Sequence, residues 1–448
     1  MPTRRKFIKD GSIALAGISA FSNSCSQKKY TANDTIRVAA IGMGIMGFKN
    51  VETALQIRGV ELAAVCDLYK GRLERSKEVF GSHTITTQDY SELLNRSDID
   101  AVIISTSDHW HDKISIEAMH AGKAVYCEKP MVHKIEEGLA VIETQNATGQ
   151  IFQVGSQGVS SMMVSKAREL YQKGEIGELV LIESWRDRQS YLGAWNYSIP
   201  TDASEQTVDW EGFIGDAPAI DFDPVRFFRW RNFQDYGTGV AGDLFVHLFS
   251  EIHAILESKG PERIYATGGL RYWNDGRDVP DVMLGSFDYP ASENHPAFNL
   301  QLRVNFIDGK GGGSGTRLIG TEGVMDLGRN QITITYSKLS NRPRYGGWDS
   351  FETFSSSEQE RFKKQFDDAF GSMEHIKQKS QYHYSEPEGA DRHIMHHQNF
   401  YDAMRGESSI VEDAAFGLRA AAPSLAANKS YFEKKIIHWD PANMKLVN

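Results

Sequence analysis

Three cysteines in 448 residues are too few for a disulfide framework. Cys25 falls in the N-terminal segment, so only Cys66 and Cys127 belong to the body of the chain, each at the end of an apolar run that reads as a strand. Thiols at the ends of two non-adjacent strands are expected to be buried and free rather than bridged. Long apolar runs are also missing: none approaches the ~20 residues of a spanning helix. Basic residues are not in excess. Lys and Arg number 49 against 59 Asp and Glu, a net charge of −10, with the acids spread along the chain, and this excludes the basic footprint of a nucleic-acid binder. There is no internal repeat and no low-complexity segment. What is present is 40% hydrophobic and 24% charged, the balance of a soluble globular protein with a real core. The length is that of two domains.

The first thirty residues stand apart. Thr3-Arg4-Arg5-Lys6-Phe7-Ile8-Lys9, followed by a short, weakly apolar segment over residues 11–21, has the pattern of a twin-arginine export signal. Cys25 after Ser22-Asn23-Ser24 leaves two readings open, a lipid-anchored cysteine or simple cleavage nearby; the Leu usual three residues before a lipidated Cys is absent. The expected location is the periplasm, with membrane contact only through a lipid at Cys25.

Just beyond lies Ile36-Arg-Val-Ala-Ala-Ile-Gly42-Met-Gly44-Ile45-Met46-Gly47, an apolar strand running into a G-x-G-x-x-G loop. Gly42 allows the tight turn, Gly44 admits a pyrophosphate close to the backbone, and Gly47 lets the next helix pack with its N-terminal N–H groups on the anion. A second apolar run over residues 60–66 ends at Asp67, where a carboxylate takes the ribose hydroxyls of NAD. A 2′-phosphate would sit badly there, so NAD is favoured; Lys70 and Arg72 just beyond keep NADP open.

Helix-like and strand-like segments then alternate as far as about residue 155, which predicts a doubly wound parallel sheet in an NAD-binding domain over 33–157. From residue 158 to 448 the grammar changes. A strand at 179–185 precedes a long polar and aromatic loop over 186–236. A helix at 240–256 and strands at 263–267, 282–289, 299–306, 316–319 and 331–336 follow. Strands in series predict an α+β domain with a large, mostly antiparallel sheet. Residues 341–392 read as a polar insertion with a helix near 358–370, and two helices near 391–404 and 412–431 close the chain.

Ligands of such parallel sheets bind beyond the carboxyl ends of the strands. Three strand ends carry suggestive residues: Thr106-Ser107-Asp-His-Trp-His111, Glu128-Lys129-Pro130 and Gly155-Ser-Gln157. The proline, cis or trans, stiffens its turn and aims Lys129 at the mouth of the nicotinamide pocket. A further constellation is Gly242-Asp243-Leu-Phe-Val-His247, with apolar spacing that puts Asp243 and His247 four apart on one helix face. The Asp would fix the imidazole tautomer, and an imidazole is suited to taking a hydroxyl proton near neutrality. His393, His396 and His397, with His383 before them, are read as packed or solvated rather than metal-binding. Trp185, Tyr191, Trp195, Tyr197, Phe227, Phe228, Trp230 and Tyr236 are read either as rings that stack on a sugar or as ordinary core.

The glycine loop, Ala121-Gly122-Lys-Ala-Val-Tyr-Cys-Glu-Lys-Pro130, Trp230-Arg231, the Gly-Asp-x-x-x-His segment and Ile319-Gly-Thr-Glu-Gly323 together resemble the glucose–fructose oxidoreductase/inositol dehydrogenase (Gfo/Idh/MocA) family over nearly the whole chain beyond the signal. The resemblance implies that His247 accepts the proton of a sugar hydroxyl, Asp243 holds and tunes it, and Lys129 hydrogen-bonds the reacting oxygen. It implies cofactor contacts at Gly42, Gly44, Ile45, Met46, Gly47, Asp67, Thr106, Ser107, His111, Glu128, Lys129 and Gln157. Substrate contacts are expected at Lys129, Trp185, Arg186, Arg231 and His247, with no metal. One departure is Ser250, where the family commonly has Asp. The main expectation is an exported NAD(P)-dependent sugar or glycoside dehydrogenase that oxidises a ring hydroxyl, plausibly at C3, with a tightly bound nicotinamide recycled in place. Two alternatives stand beside it. One is an NAD-dependent glycoside hydrolase acting by transient oxidation and elimination. The other is a non-catalytic sugar-binding protein. A homodimer or homotetramer is a further implication of the resemblance.

Overall fold

The computed structural model describes residues 30, 31, 34–340, 342–373 and 377–447. The expected export signal and Cys25 lie outside the described residues. Six parallel strands form the first sheet: β1 (Ile36–Ile41), β2 (Val60–Cys66), β3 (Ile85–Thr87), β4 (Ala101–Ile104), β5 (Ala124–Glu128) and β6 (Phe152–Gly155). Their order, β3-β2-β1-β4-β5-β6, is that of a dinucleotide-binding sheet, with its ligand crevice where the order reverses between β1 and β4. β4 and β5 are buried along their whole length, as expected of parallel strands covered on both faces, and their near-continuous apolar runs follow from that. Cys66 and Cys127 are buried free thiols on β2 and β5, with β1 and β4 between them.

The second sheet has ten strands. After β7 (Leu179–Asp187) come β8 (Arg263–Gly269), β9 (Val282–Tyr289), β10 (Phe298–Asn305), β11 (Gly313–Gly320), β12 (Gly323–Leu327), β13 (Gln331–Tyr336), β14 (Tyr382–Ser385), β15 (Ile437–Asp440) and β16 (Lys445–Val447). The order is β14-β13-β12-β11-β7-β10-β9-β8-β15-β16. Only β7 and β10 run parallel; the remaining neighbours are antiparallel. Along β10 burial alternates strictly, because one face packs on helices and the other faces water.

Several local features differ from the sequence reading, among them the unread strands β12, β15 and β16. β14 pairs with β13 inside the stretch read as a polar insertion. It is four residues long and shows only two half-buried side chains, too little alternation to stand out. The long loop contains the short helices Trp210–Ile214 and Pro224–Phe228 and closes on its own apolar cluster with Tyr69, Trp210, Phe213, Phe227 and Tyr236. The helix expected from residue 240 opens with a π-helical turn, Ala241–Phe245, before the α-helix Val246–Leu256. Finally, the helix Arg392–Met404 returns to the first sheet, where Phe400, Tyr401 and Met404 pack with Ile36, Val38 and Ile103. The helix Ala414–Glu433, rich in buried alanines, packs against both β6 and β8. No helix among the described residues is long and apolar enough to cross a membrane.

Candidate active site

A cleft of about 640 Å³ opens at the carboxyl ends of β1, β2, β4 and β5 and runs to the helix Val246–Leu256. At one end lies the glycine loop. Gly42 has φ +89°, and a side chain there would stand 2.6 Å from the Ser105 carbonyl oxygen. Gly47 is packed under the loop, against the Gly42 carbonyl. Around Gly44 the position of a Cβ is open, with nothing within 4 Å, and that space belongs to the cleft. The helix Ile45–Ala54 begins here with no side-chain cap and no acid in its first turn. Its first N–H groups are therefore left for an anion such as a pyrophosphate.

Asp67 closes the loop from β2. Its Oδ2 accepts from the Met43 N–H at 2.7 Å and its Oδ1 from the Tyr69 N–H at 2.9 Å. Arg72 Nη1 also reaches both oxygens, at 3.5 and 3.4 Å, so a ribose hydroxyl would share the carboxylate with that guanidinium or displace it. Lys70 turns away to the Gln206 carbonyl, whereas Arg72 lies 3.4 Å from Asp67 Oδ2, over the faces of Phe227 and Phe228. Ile45, Met46, Thr106, Ser107, Glu128 and Gln157 also line the cleft. Glu128 is buried, and its Oε1 accepts from Asn50 Nδ2 at 3.0 Å and Gln157 Nε2 at 2.9 Å. An open cradle, uncapped N–H groups and a carboxylate on the second strand fit an NAD adenosine and pyrophosphate.

At the other end of the cleft the sequence-distant Lys129, Asp243 and His247 meet. The Lys129–Pro130 peptide is cis. Lys129 Nζ donates to Asp243 Oδ1 at 2.8 Å and to the Asp243 carbonyl at 3.0 Å. An ammonium has three N–H donors, so one is left for a ligand. Arg231 Nε donates to the same Oδ1 at 3.2 Å. Burial would raise the Asp243 carboxyl, but Lys129 and Arg231 outweigh it and hold it well below the usual carboxylate range. This corrects the expected pairing. No hydrogen bond joins Asp243 to His247 among the described residues; the carboxylate is the counter-charge of Lys129 and Arg231. His247 is half-buried and lines the cleft. Burial, then the charges of Lys129 and Arg186, push its pKa well below the ordinary value, with Asp243 opposing them. The imidazole is therefore a neutral proton acceptor beside a charged proton donor.

Among the lining groups not anticipated are Arg188, Glu251, Arg392 and His393. Glu251 is one helical turn past His247 in Val246–Leu256, so the two share a face. Burial raises its carboxyl, against the pull of Arg186 and Arg392. A Cβ at Gly158 would meet the Glu251 carboxylate at 2.3 Å, so the glycine leaves room for it. The i, i+4 spacing from His247 to Glu251 was readable in the sequence. The arrival of Arg392 from a third segment was not.

Other expected contacts fall elsewhere. His111 does not line the cleft; it is buried, with Nδ1 2.7 Å from the Pro130 carbonyl and Nε2 3.3 Å from the Thr106 carbonyl. It thus braces two cleft-lining turns rather than touching a ligand. Trp185 lies against Gly315 of the neighbouring strand β11, because successive residues of β7 face opposite ways and its neighbour Arg186 takes the cleft side. Of the loop aromatics, Trp195, Tyr197, Phe227, Phe228 and Trp230 line the cleft; Trp185, Tyr191 and Tyr236 do not. His396 and His397 are buried, His397 stacked on Tyr126 at 4.4 Å. Among the described residues no group of three or more His, Cys, Asp or Glu is placed to hold a metal. Ser250, buried behind the cleft, donates at 3.3 Å to Ser156 Oγ and to Glu412 Oε1.

Parts of this chain match known proteins. Residues 36–156 match the oxidoreductase family with an NAD-binding Rossmann fold. Over 205 residues the chain is 32% identical to a glycosyl hydrolase family 109 protein of Shewanella baltica (strain OS185) and 30% identical to an alpha-N-acetylgalactosaminidase of Shewanella oneidensis. In both cases the match covers 40% of this chain and 44% of the relative, less than half the length of either. Among solved structures, levoglucosan dehydrogenase in complex with NADH and levoglucosan superposes with a TM-score of 0.62 at 17% identity, over 90% of this chain and 99% of that one. The WlbA dehydrogenase of Chromobacterium violaceum, in complex with NADH and UDP-GlcNAcA, gives 0.66 at 16%, over 92% and 98%. At such identities the likeness is one of fold. The matched first domain and the superposition of both sheets give this chain the fold of the Gfo/Idh/MocA-type NAD(P)-binding oxidoreductases.

Proposed function

We propose that this chain is an NAD-dependent glycoside hydrolase that works by transient oxidation, elimination, water addition and reduction, with no net redox change. The observation that carries the reading is a third proton-handling group in the cleft. An alcohol dehydrogenation needs one acceptor for the hydroxyl proton, and His247 serves. It has no use for Glu251, a carboxyl poised between burial and two guanidinium groups on the same helix face. The matched relatives carry glycosidase names, which supports the same choice.

A bound nicotinamide supplies reversible hydride acceptance at the oxidised ring carbon. The chain's residues handle the rest. The free N–H of Lys129 holds the reacting oxygen, and neutral His247 Nε2 or Nδ1 takes its proton. With C3 as a ketone, the C2 hydrogen is acidified and the C1 oxygen is in position to leave. Glu251 takes the C2 proton as the C1–O bond breaks, then passes it to the departing oxygen. Water adds at C1, giving its proton through Glu251 back to C2. The Lys129 ammonium stabilises negative charge on the C3 oxygen throughout, held in place by Asp243.

The export signal at residues 3–9 supports a periplasmic site of action, with or without a lipid at Cys25. A redox-neutral cycle suits that site, since no nicotinamide pool is needed to restore the cofactor. A net dehydrogenase remains the second reading; the shared Lys129 and His247 geometry serves its first step equally. The exported protein, incubated with a panel of aryl glycosides, is expected to release free sugar while its bound nicotinamide ends in its starting oxidation state. Accumulation of ketosugar with one reduced nicotinamide per chain would favour the dehydrogenase instead.

A further inference from the structure

The proposed reaction uses Lys129, Asp243, His247 and Glu251 but leaves part of the cleft wall unexplained. Lys129 and Arg231 share the Asp243 carboxylate. Arg188 donates to the Gly193 carbonyl at 2.7 Å and lies over the rings of Trp195 and Phe306. Arg186 and Arg392 have no such partners. Both line the cleft and both are half-buried, yet among the described residues neither guanidinium makes a hydrogen bond or ion pair. They reach it from separate segments, Arg186 near the end of β7 and Arg392 as the first residue of the helix Arg392–Met404. Their charges are felt by each other, by His247 and by Glu251.

A guanidinium withdrawn from water stays charged, and its burial is costly unless an anion pairs with it. Glu251 is the acid felt by both, but it lies outside ion-pair distance, and burial favours its neutral form. Beside Arg392, His393 Nδ1 is enclosed without a hydrogen-bond partner. Two guanidinium forks thus border one cleft to which the protein brings no bound anion.

We infer that the substrate sugar bears an acidic group, a carboxylate or an ester sulfate, that docks between Arg186 and Arg392. Guanidinium forks pair with such oxyanions bidentately. The inference rests on the glycoside reading above and narrows its substrate class. The other anions of the cleft, the phosphates of the cofactor, belong at the opposite end, on the first turn of Ile45–Ala54.

The test uses the full chain with its nicotinamide bound and matched aryl glycosides: glucoside against glucuronide, galactoside against galacturonide, and galactoside against its 6-sulfate. The acidic member of at least one pair is expected to have kcat/KM about a hundredfold higher, an advantage that shrinks as salt rises. Arg186→Gln and Arg392→Gln should each cut that advantage about tenfold or more, with retained nicotinamide, read by native mass spectrometry, unchanged. Calorimetric binding of methyl uronosides against methyl glycosides should give the same ranking without turnover. Equal binding and equal rates within every pair overturn the inference, as does loss of nicotinamide in the variants with the acid preference intact. If no glycoside is cleaved but uronosides still bind through both arginines, the reaction assigned above fails and the anion site stands.

Discussion

At the scale of single residues, Asp243 is the hinge of the site. It is the shared counter-charge of Lys129 and Arg231, and removing it strands two cations. Asp243→Asn is expected to destabilise the fold by about 3 kcal/mol, the usual cost of breaking a buried pair, and to lower kcat strongly; chemical denaturation and kinetics on the same preparation check both. Lys129→Ala and His247→Ala should each lower kcat by roughly a hundred- to ten-thousand-fold with little loss of bound nicotinamide. Wild-type rates in both variants would contradict the site assignment. The sequence made these three residues legible because each sits in a motif with its own stereochemical reason, a stiff turn after a strand or an i, i+4 pair. Their partnership was not legible. Spacing on one helix suggested Asp243 to His247, yet an ammonium from another domain competes for the carboxylate, and a full charge at 2.8 Å wins over a neutral imidazole.

At the scale of elements, the glycine loop separates folding from binding. A Cβ at Gly44 meets nothing, so Gly44→Ala should leave the melting temperature nearly unchanged while reducing retained nicotinamide, because the added methyl enters the space of the pyrophosphate. Gly42→Ala should do both kinds of harm, since its positive φ and the Ser105 carbonyl leave no room. Native mass spectrometry and thermal melts distinguish the two. Elements with strong periodicity, such as β1, β2 and β9, agree with the sequence reading to within a residue or two. The short ones, β3, β12, β14, β15 and β16, escaped it because three to five residues show too little alternation. The helix Arg392–Met404 was read correctly as a helix, but its destination was not. Packing of Phe400 and Tyr401 on the first sheet is a long-range fact that brings Arg392 into the cleft.

At the scale of the whole molecule, buried titratable groups set the pH range of stability. Burial holds His396 down to about 4 and His397 to about 3, while an unfolded chain protonates them near 6.5. The unfolded state therefore binds more protons as the pH falls below about 6.5, and stability declines toward acid. Glu412 acts in the opposite sense. Burial raises it to about 8, with Ser156 and Ser250 opposing, so stability also declines as the pH rises from about 4.5 toward 8. Denaturation midpoints should peak near neutrality, and Glu412→Gln should flatten the alkaline side while steepening the acid limb between about pH 4.5 and 6.5. The two-sheet architecture was legible, since parallel and antiparallel sheets leave different hydrophobic patterns. The proposed choice of reaction was not, because it turns on Glu251, beside His247 on one helix face, meeting Arg186 and Arg392 from distant segments. The most direct measurement is hydrolysis of the preferred glycoside in deuterated water, with the sugar analysed for deuterium and the bound nicotinamide for its redox state. The account predicts free sugar carrying deuterium at C2 and a nicotinamide unchanged after many turnovers; free sugar without deuterium at C2, or ketosugar beside a reduced nicotinamide, would contradict it.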